Sequence, residues 1–418
     1  MAYPPMMRLR QHFKAPEVQD IGAVVRQQIA GLKLEQRVRS GQSVAVTVGS
    51  RGIAGIALII RTVVEELKQL GLQPFLVPAM GSHGGGDAAA QQRIIESYGV
   101  TAEYTGAPIK SSMETVQVGQ TGDGVPVFFD QQAYAADHVV VVGRIKPHTD
   151  FVGPIESGLH KMMLIGLGKH RGASLYHRAI VRYSFDRIIR SVGQTVIERC
   201  GVLFGLAIVE NQYDRTALIE AVPPDRFYVR EQELLTQARR WMPRLPFDEV
   251  DLLIVDELGK DISGAGMDSN VIGRKGTPHR SDSGQLPRCT RIYVRGLSAA
   301  THGNAAGIGQ AEFAHRRAVE AMDLQATYIN CLTGYAPQGA AIPLYYYSDR
   351  EVLDAALGTV GYIQPENARV VRIRNTLKLE EVEVSQVYAA ELERREDLTV
   401  IAPAAPMVFD RNGDLPPL

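Results

Sequence analysis

Short apolar runs alternate with amphipathic stretches along the first part of the chain. SVAVTVGS (Ser43–Ser50) predicts a buried strand. IALIIRTVVEELKQLG (Ile56–Gly71) has apolar residues at helical spacing and a closing glycine, which predicts a helix and its stop. PFLVPAM (Pro74–Met80) predicts the next strand. DAAAQQRIIESYG (Asp87–Gly99) predicts a second helix, with Asp87 as N-cap and Gly99 as its end. DHVVVVGRI (Asp137–Ile145) predicts a third strand. Apolar strands in strand–helix–strand order imply a parallel sheet covered on both faces.

The segment RWMPRLPFDEV (Arg240–Val250) carries two prolines and reads as a junction. Beyond it the pattern restarts. DLLIVDEL (Asp251–Leu258) and TRIYVRGL (Thr290–Leu297) predict strands, and AEFAHRRAVEAM (Ala311–Met322) predicts a helix. The expectation is an α/β fold of two domains, residues 1–250 and 251–418, each with a mainly parallel sheet flanked by helices. The proline-rich end IAPAAPMVFDRNGDLPPL reads as a surface drape or a loose tail.

Composition narrows the function classes. The 418 residues balance 45 Lys+Arg against 46 Asp+Glu, without the basic surplus that nucleic acids or anionic membrane surfaces demand. The segment MAYPPMMRLRQHF does not read as a signal peptide, and no apolar run reaches about 18 residues, so no membrane span is expected. Three scattered cysteines (Cys200, Cys289, Cys331) make neither a disulfide framework nor a thiolate metal set, and a reducing cytoplasm is the expected compartment. Forty glycines suggest close backbone approach to a ligand or many tight turns.

In open α/β sheets, ligands bind beyond the carboxyl ends of the strands. The segments expected there are GSRG (Gly49–Gly52), GSHGGGD (Gly81–Asp87), RIKPHTD (Arg144–Asp150) and ELGKDISGAGMD (Glu257–Asp268). His83 and His148 follow neighbouring strands, and two imidazoles in one cleft suit proton shuttling or metal binding. The consecutive N–H groups of Gly84 and Gly85, ahead of a helix, predict an anion nest. Ser50 and Arg51 predict another seat, with Arg51 as the fork. No GxxxxGK[ST] loop and no HExxH helix is present. A zinc hydrolase using His83, His148 and His177, and a non-catalytic binder of a nucleotide or acidic metabolite, remain open at this point.

The same residues resemble those of the nickel-dependent lactate racemase family of 2-hydroxyacid racemases and epimerases. His83 in GSHG and His148 in KPH resemble the family's acid/base pair. Lys161 in ESGLHKMM resembles the lysine that joins the cofactor, with Lys169 the second candidate. His177 in LYHRA resembles the nickel ligand. The resemblance implies two α/β domains with the active site in the cleft between them. It also implies a nickel-pincer nucleotide (nickel pyridinium-3,5-bisthiocarboxylic acid mononucleotide), whose phosphate Ser50, Arg51, Gly84 or Gly85 would seat. Cofactor-maturation enzymes would be partners, and the substrate a small 2-hydroxy acid whose carboxylate Arg51, Lys146 or Arg144 would hold. Lactate racemases carry a Tyr-Gln and a lysine where this chain has Ala265, Gly266, Asp268 and Asn270. That difference implies a bulkier or polyhydroxylated substrate, with Asp268 and Asn270 as hydrogen-bonding groups.

Overall fold

The apolar runs fold as strands and the amphipathic runs cover them. A computed structural model describes residues 2–14, 16–50, 52–275 and 286–418; Arg51, expected at the anion seat, lies outside the described residues. The chain forms two units. The first comprises Ala15–His148 and Val152–Met242, and the second Met1–Lys14, Thr149–Phe151 and Pro243–Leu418. Strand β1 (Met6–Gln11) therefore belongs to the second unit, whose longest segment starts at Pro243.

The first unit contains β2 (Ser43–Val48), β3 (Gln73–Pro78), the hairpin β4 (Thr115–Gln120) and β5 (Pro126–Asp130), then β6 (His138–Arg144), β7 (Val202–Glu210) and β8 (Thr216–Val222). Five of them form a sheet in the order β3-β2-β6-β7-β8, parallel except for the β7/β8 pair. On the Ile56–Gln69 helix, Ile56, Ile59, Ile60, Val63, Val64 and Leu67 are buried, a stripe of helical period. They pack in one core with Val44, Val46 and Val48 of β2, Leu76 of β3 and Val140 of β6. Asp87 caps the Ala88–Ser97 helix by accepting from the Ala90 N–H at 2.8 Å. Gly99 follows with φ +80°, a conformation that suits glycine.

In the second unit, β9 (Glu249–Val255), β10 (Arg288–Val294), β11 (Phe313–His315), β12 (Leu344–Tyr346), β13 (Val370–Ile373), β14 (Glu381–Ser385) and β15 (Leu398–Ala405) join β1. The sheet order is β12-β11-β10-β9-β13-β14-β1-β15. The half from β12 to β13 is parallel and the half from β13 to β15 antiparallel. The segment expected as one helix, Ala311–Met322, opens instead as β11 and is helical only over Arg316–Glu320. Phe313 and Ala314 pair with Tyr293 and Val294 on one side and with Leu344 and Tyr345 on the other, so strand pairing overrides local periodicity. The proline-rich end is ordered: β15 pairs with β1, and Leu415 is buried.

Buried charge anchors that end. Asp349, fully buried, accepts from Arg295 Nη2 at 2.6 Å, from the Leu415 N–H at 2.7 Å and from the Tyr293 hydroxyl. Arg295 also pairs with Asp256 at 2.9 Å, and Asp256 with Arg372 at 2.8 Å. Burial alone would raise the Asp349 carboxyl; the hydrogen bonds and charge of Arg295, with Tyr293 and Leu415, outweigh it and hold the group below its ordinary value. Asp349→Ala leaves Arg295 short of a partner and is expected to destabilise the second unit by about 3–5 kcal/mol in denaturant unfolding. Because the folded value lies below the unfolded one, this contribution is complete above about pH 4 and is lost as pH falls through the folded value. The stability gap between wild type and Asp349→Ala should therefore narrow only in strong acid.

Candidate active site

Three neighbouring strands of the first unit deliver the candidate residues. His83 lies beyond β3, Ser50 beyond β2, and Lys146 and His148 beyond β6. Adjacent strands are about 4.8 Å apart, so the ends that feed His83 and His148 stand about 10 Å apart with the Ser50 loop between them. Ser50 Oγ lies 2.5 Å from His83 Nδ1, which fixes the orientation of this exposed imidazole. The Tyr98 hydroxyl donates to the Ser50 carbonyl at 2.7 Å. Gln91 Nε2 donates to the carbonyls of Gly81 at 2.9 Å and His83 at 3.0 Å. Glu210 accepts from the Ala54 N–H at 2.7 Å and pairs with Arg144, which donates to the Gly52 carbonyl at 3.2 Å. Arg144, one of the carboxylate candidates, thus holds the loop beyond β2.

A helical segment crosses these strand ends. Its first turn is Leu159–Lys161, a π-helical stretch spans Met162–Gly166, and the Lys169–Tyr183 helix follows. π-Helical turns concentrate at functional sites. A Cβ on Gly143 would lie 2.9 Å from Met162 Cγ, and one on Gly49 3.5 Å from Met162 Cε. The Gly81 N–H donates to the Gly166 carbonyl at 3.3 Å, and a Cβ on Gly166 would lie 2.8 Å from the Ala79 carbonyl oxygen. The segment therefore runs over the ends of β6, β2 and β3 in turn. Lys169, the second anchor candidate, is fully buried with φ +54°; it pairs with Asp130 at 3.0 Å and donates to the Pro78 carbonyl. Burial lowers its pKa and Asp130 opposes the shift only in part. Its amine is committed to bracing the end of β3, which leaves Lys161 as the anchor candidate.

His177 sits half-buried on the Lys169–Tyr183 helix. Burial first, and the charge of Lys161 second, hold its pKa below the ordinary histidine value. The imidazole is therefore neutral at neutral pH, the state a metal ligand requires. The His148 backbone N–H donates to buried Glu156 at 2.6 Å, and Arg239 pairs with the other Glu156 oxygen at 2.7 Å. The His148 ring lies 6.5 Å from that of Phe185. Of the two other histidines between His148 and His177, His170 is exposed and His160 is buried against Glu231.

The glycine loop differs from the expected nest. Gly84, Gly85 and Gly86 have φ of +65°, +69° and +68°, so the run depends on glycine. The Gly86 N–H donates to Ser82 and the Asp87 carboxylate takes the following helix terminus, placing a negative charge where an anion would bind. A Cβ on Gly85 would meet nothing within 4 Å, so the tip of the loop faces open space.

In the second unit, Asp268 is buried and caps Ser269–Ile272, accepting from the Asn270 N–H at 3.0 Å and Asn270 Nδ2 at 2.8 Å. The expected substrate pair thus serves its own turn. Gly266 has a packing reason: a Cβ there would lie 2.3 Å from the Ala306 carbonyl oxygen, and one on Gly307 would lie 1.8 Å from that of Ala265. The small residues admit close backbone packing, so they are not evidence of a roomier pocket.

Among the described residues, the set of three donor atoms mutually within 4.8 Å is His315, Asp349 and Asp414, where Asp349 is already held by Arg295. Among the described residues, His83, His148 and His177 do not form such a set. Cys200, Cys289 and Cys331 are buried, and burial pushes the thiols of Cys200 and Cys289 up to about 12, unsuited to nucleophilic work. Gln91, Tyr98, Glu156, Glu210 and Arg239, which brace the site, carry no local motif; their partners lie on other elements.

Removing the charge of Lys161 should raise the His177 pKa. Lys161→Met is expected to shift the His177 ring-proton titration upward in NMR, while burial keeps it below the ordinary value.

Residues 7–186 match the family model of the lactate racemase N-terminal domain, a span that includes His83, His148, Lys161 and His177. No curated protein matches the sequence. The fold is similar to the lactate racemase apoprotein from Thermoanaerobacterium thermosaccharolyticum, with a TM-score of 0.54 and 12% identity over 90% of this chain and 99% of that one. Residues 7–186 thus match a lactate racemase N-terminal domain, and the fold of the chain is similar to that of a lactate racemase.

Proposed function

We propose that the protein is a racemase or epimerase of a 2-hydroxy acid that works with a nickel-pincer nucleotide. The reading rests on one arrangement. His83 and His148 rise from strands on either side of β2, and His177, kept neutral, lies within reach of the charge of Lys161. The donor chemistry fits the cofactor: a neutral imidazole suits nickel, and a primary amine beside it suits covalent attachment. His177 would be the protein's ligand to the metal, Lys161 the anchor, and the Ser50 turn a phosphate seat. When bound, the cofactor supplies an acceptor for the Cα hydride of the substrate.

The remaining work falls to the chain. A hydroxy acid loses its hydroxyl proton to one imidazole as the carbon becomes planar, and recovers a proton from the opposite imidazole when the other face is reduced. Two bases are required because one cannot reach both hydroxyl positions. Ser50 at Nδ1 of His83 leaves proton transfer to Nε2. Glu156, through the His148 N–H, fixes the turn that carries the second base. Lys146, half-buried beyond β6, is the described candidate to hold the substrate carboxylate.

The decisive measurement is chiral chromatography of a 2-hydroxy acid panel, each deuterated at Cα, with nickel-loaded protein. Interconversion with the deuterium retained is expected; loss of deuterium to water without any hydride signature would overturn the hydride route. His83→Ala or His148→Ala should each slow interconversion by about 10²–10⁴-fold with nickel content unchanged. His177→Ala should instead lose the nickel.

A further inference from the structure

The turn carrying Lys161 is held from behind. Leu159–Lys161 has no cap from its own sequence, since Gly158 precedes it. Glu231, on the Phe227–Trp241 helix, takes that place: its Oε2 accepts from the His160 backbone N–H at 3.1 Å and also from the His160 ring at Nδ1. Both side chains are buried, His160 at 4% exposure and Glu231 at 2%. The ring stands edge-on to Phe227 at 6.2 Å and to Tyr228 at 6.1 Å. Two glycines make room. A Cβ on Gly158 would lie 2.1 Å from Glu231 Oε1, and one on Gly193 would lie 2.5 Å from His160 Cδ2.

The chemistry of the pair is directional. An ionised carboxylate only accepts, so it can take a ring N–H and a backbone N–H together. The backbone N–H belongs to the first turn of the helix, where donors lack intrahelical partners and a negative charge is favourable. Glu231 thereby fixes both the side chain and the main chain of the residue immediately before Lys161. We propose that Glu231 is a positioning residue: acting through His160, it sets the turn that presents Lys161 toward His177. This rests on the reading of Lys161 as the cofactor's anchor.

The test uses the full chain made without cofactor. Trace acylation with acetic anhydride, read by peptide mass spectrometry, gives the Lys161 rate relative to exposed Lys33. Glu231→Gln keeps the shape but replaces one acceptor oxygen with a donor. The Lys161:Lys33 ratio is expected to change by at least about threefold. Leu234→Ala, a cavity on the same helix, should lower the unfolding midpoint yet leave the ratio at the wild-type value. If Glu231→Gln does not fold, His160→Asn is read in the same way. An unchanged ratio in the folded variant, or an equal change in Leu234→Ala, overturns the proposal. Nickel-loaded wild type with no added mass on the Lys161 peptide would refute the anchor reading alone, because the labelling ratio still reports what holds Lys161.

Discussion

The candidate site depends on a contact between two stretches of main chain. Ala79–Gly81, at the end of β3, lies against Ile165–Gly166 closely enough that neither Gly81 nor Gly166 has room for an unstrained Cβ. Side chains can adjust to one another; two backbones in contact cannot. The contact ties the loop of His83 to the segment that begins at Lys161 and leads to His177. Lys169 extends the tie by joining the Pro78 carbonyl to Asp130 from a left-handed backbone conformation. Such a conformation in a non-glycine residue costs on the order of 1–3 kcal/mol and persists only where its surroundings determine it.

Carboxylates placed behind the loops complete the frame. Glu210, Glu156 and Glu231 each accept from a backbone N–H in a segment next to a candidate residue: Ala54, His148 and His160. The first two also carry an arginine, Arg144 and Arg239. A charged acceptor makes a stronger hydrogen bond than a neutral one, and removing it would strand a donor away from water. The segments beside Ser50, His148 and Lys161 are thus stiffened from beneath, in addition to the contact between the loops of Ser50 and His83.

Hydrophobic period made the strands Ser43–Val48, Gln73–Pro78 and His138–Arg144 legible, together with the helices between them and the cap at Asp87. The strand-end rule then located His83 and His148. Two misreadings share one cause, partners distant in sequence. Phe313 looks helical until its neighbours β10 and β12 are known. Gly266 looks like space for a substrate until the Ala306 carbonyl is placed beside it. The glutamates behind the loops were equally hidden, for Glu231 meets His160 across 71 residues.

The position of β1 bears on how the chain is made. Residues 6–11 lie between β14 and β15, with Met6 opposite Ser385 and Ala405, so this strand is synthesised long before the partners that flank it. Until β14 and β15 have been made, β1 is a waiting strand with unpaired edges. Such long-range closure slows folding and exposes the nascent chain to misassociation.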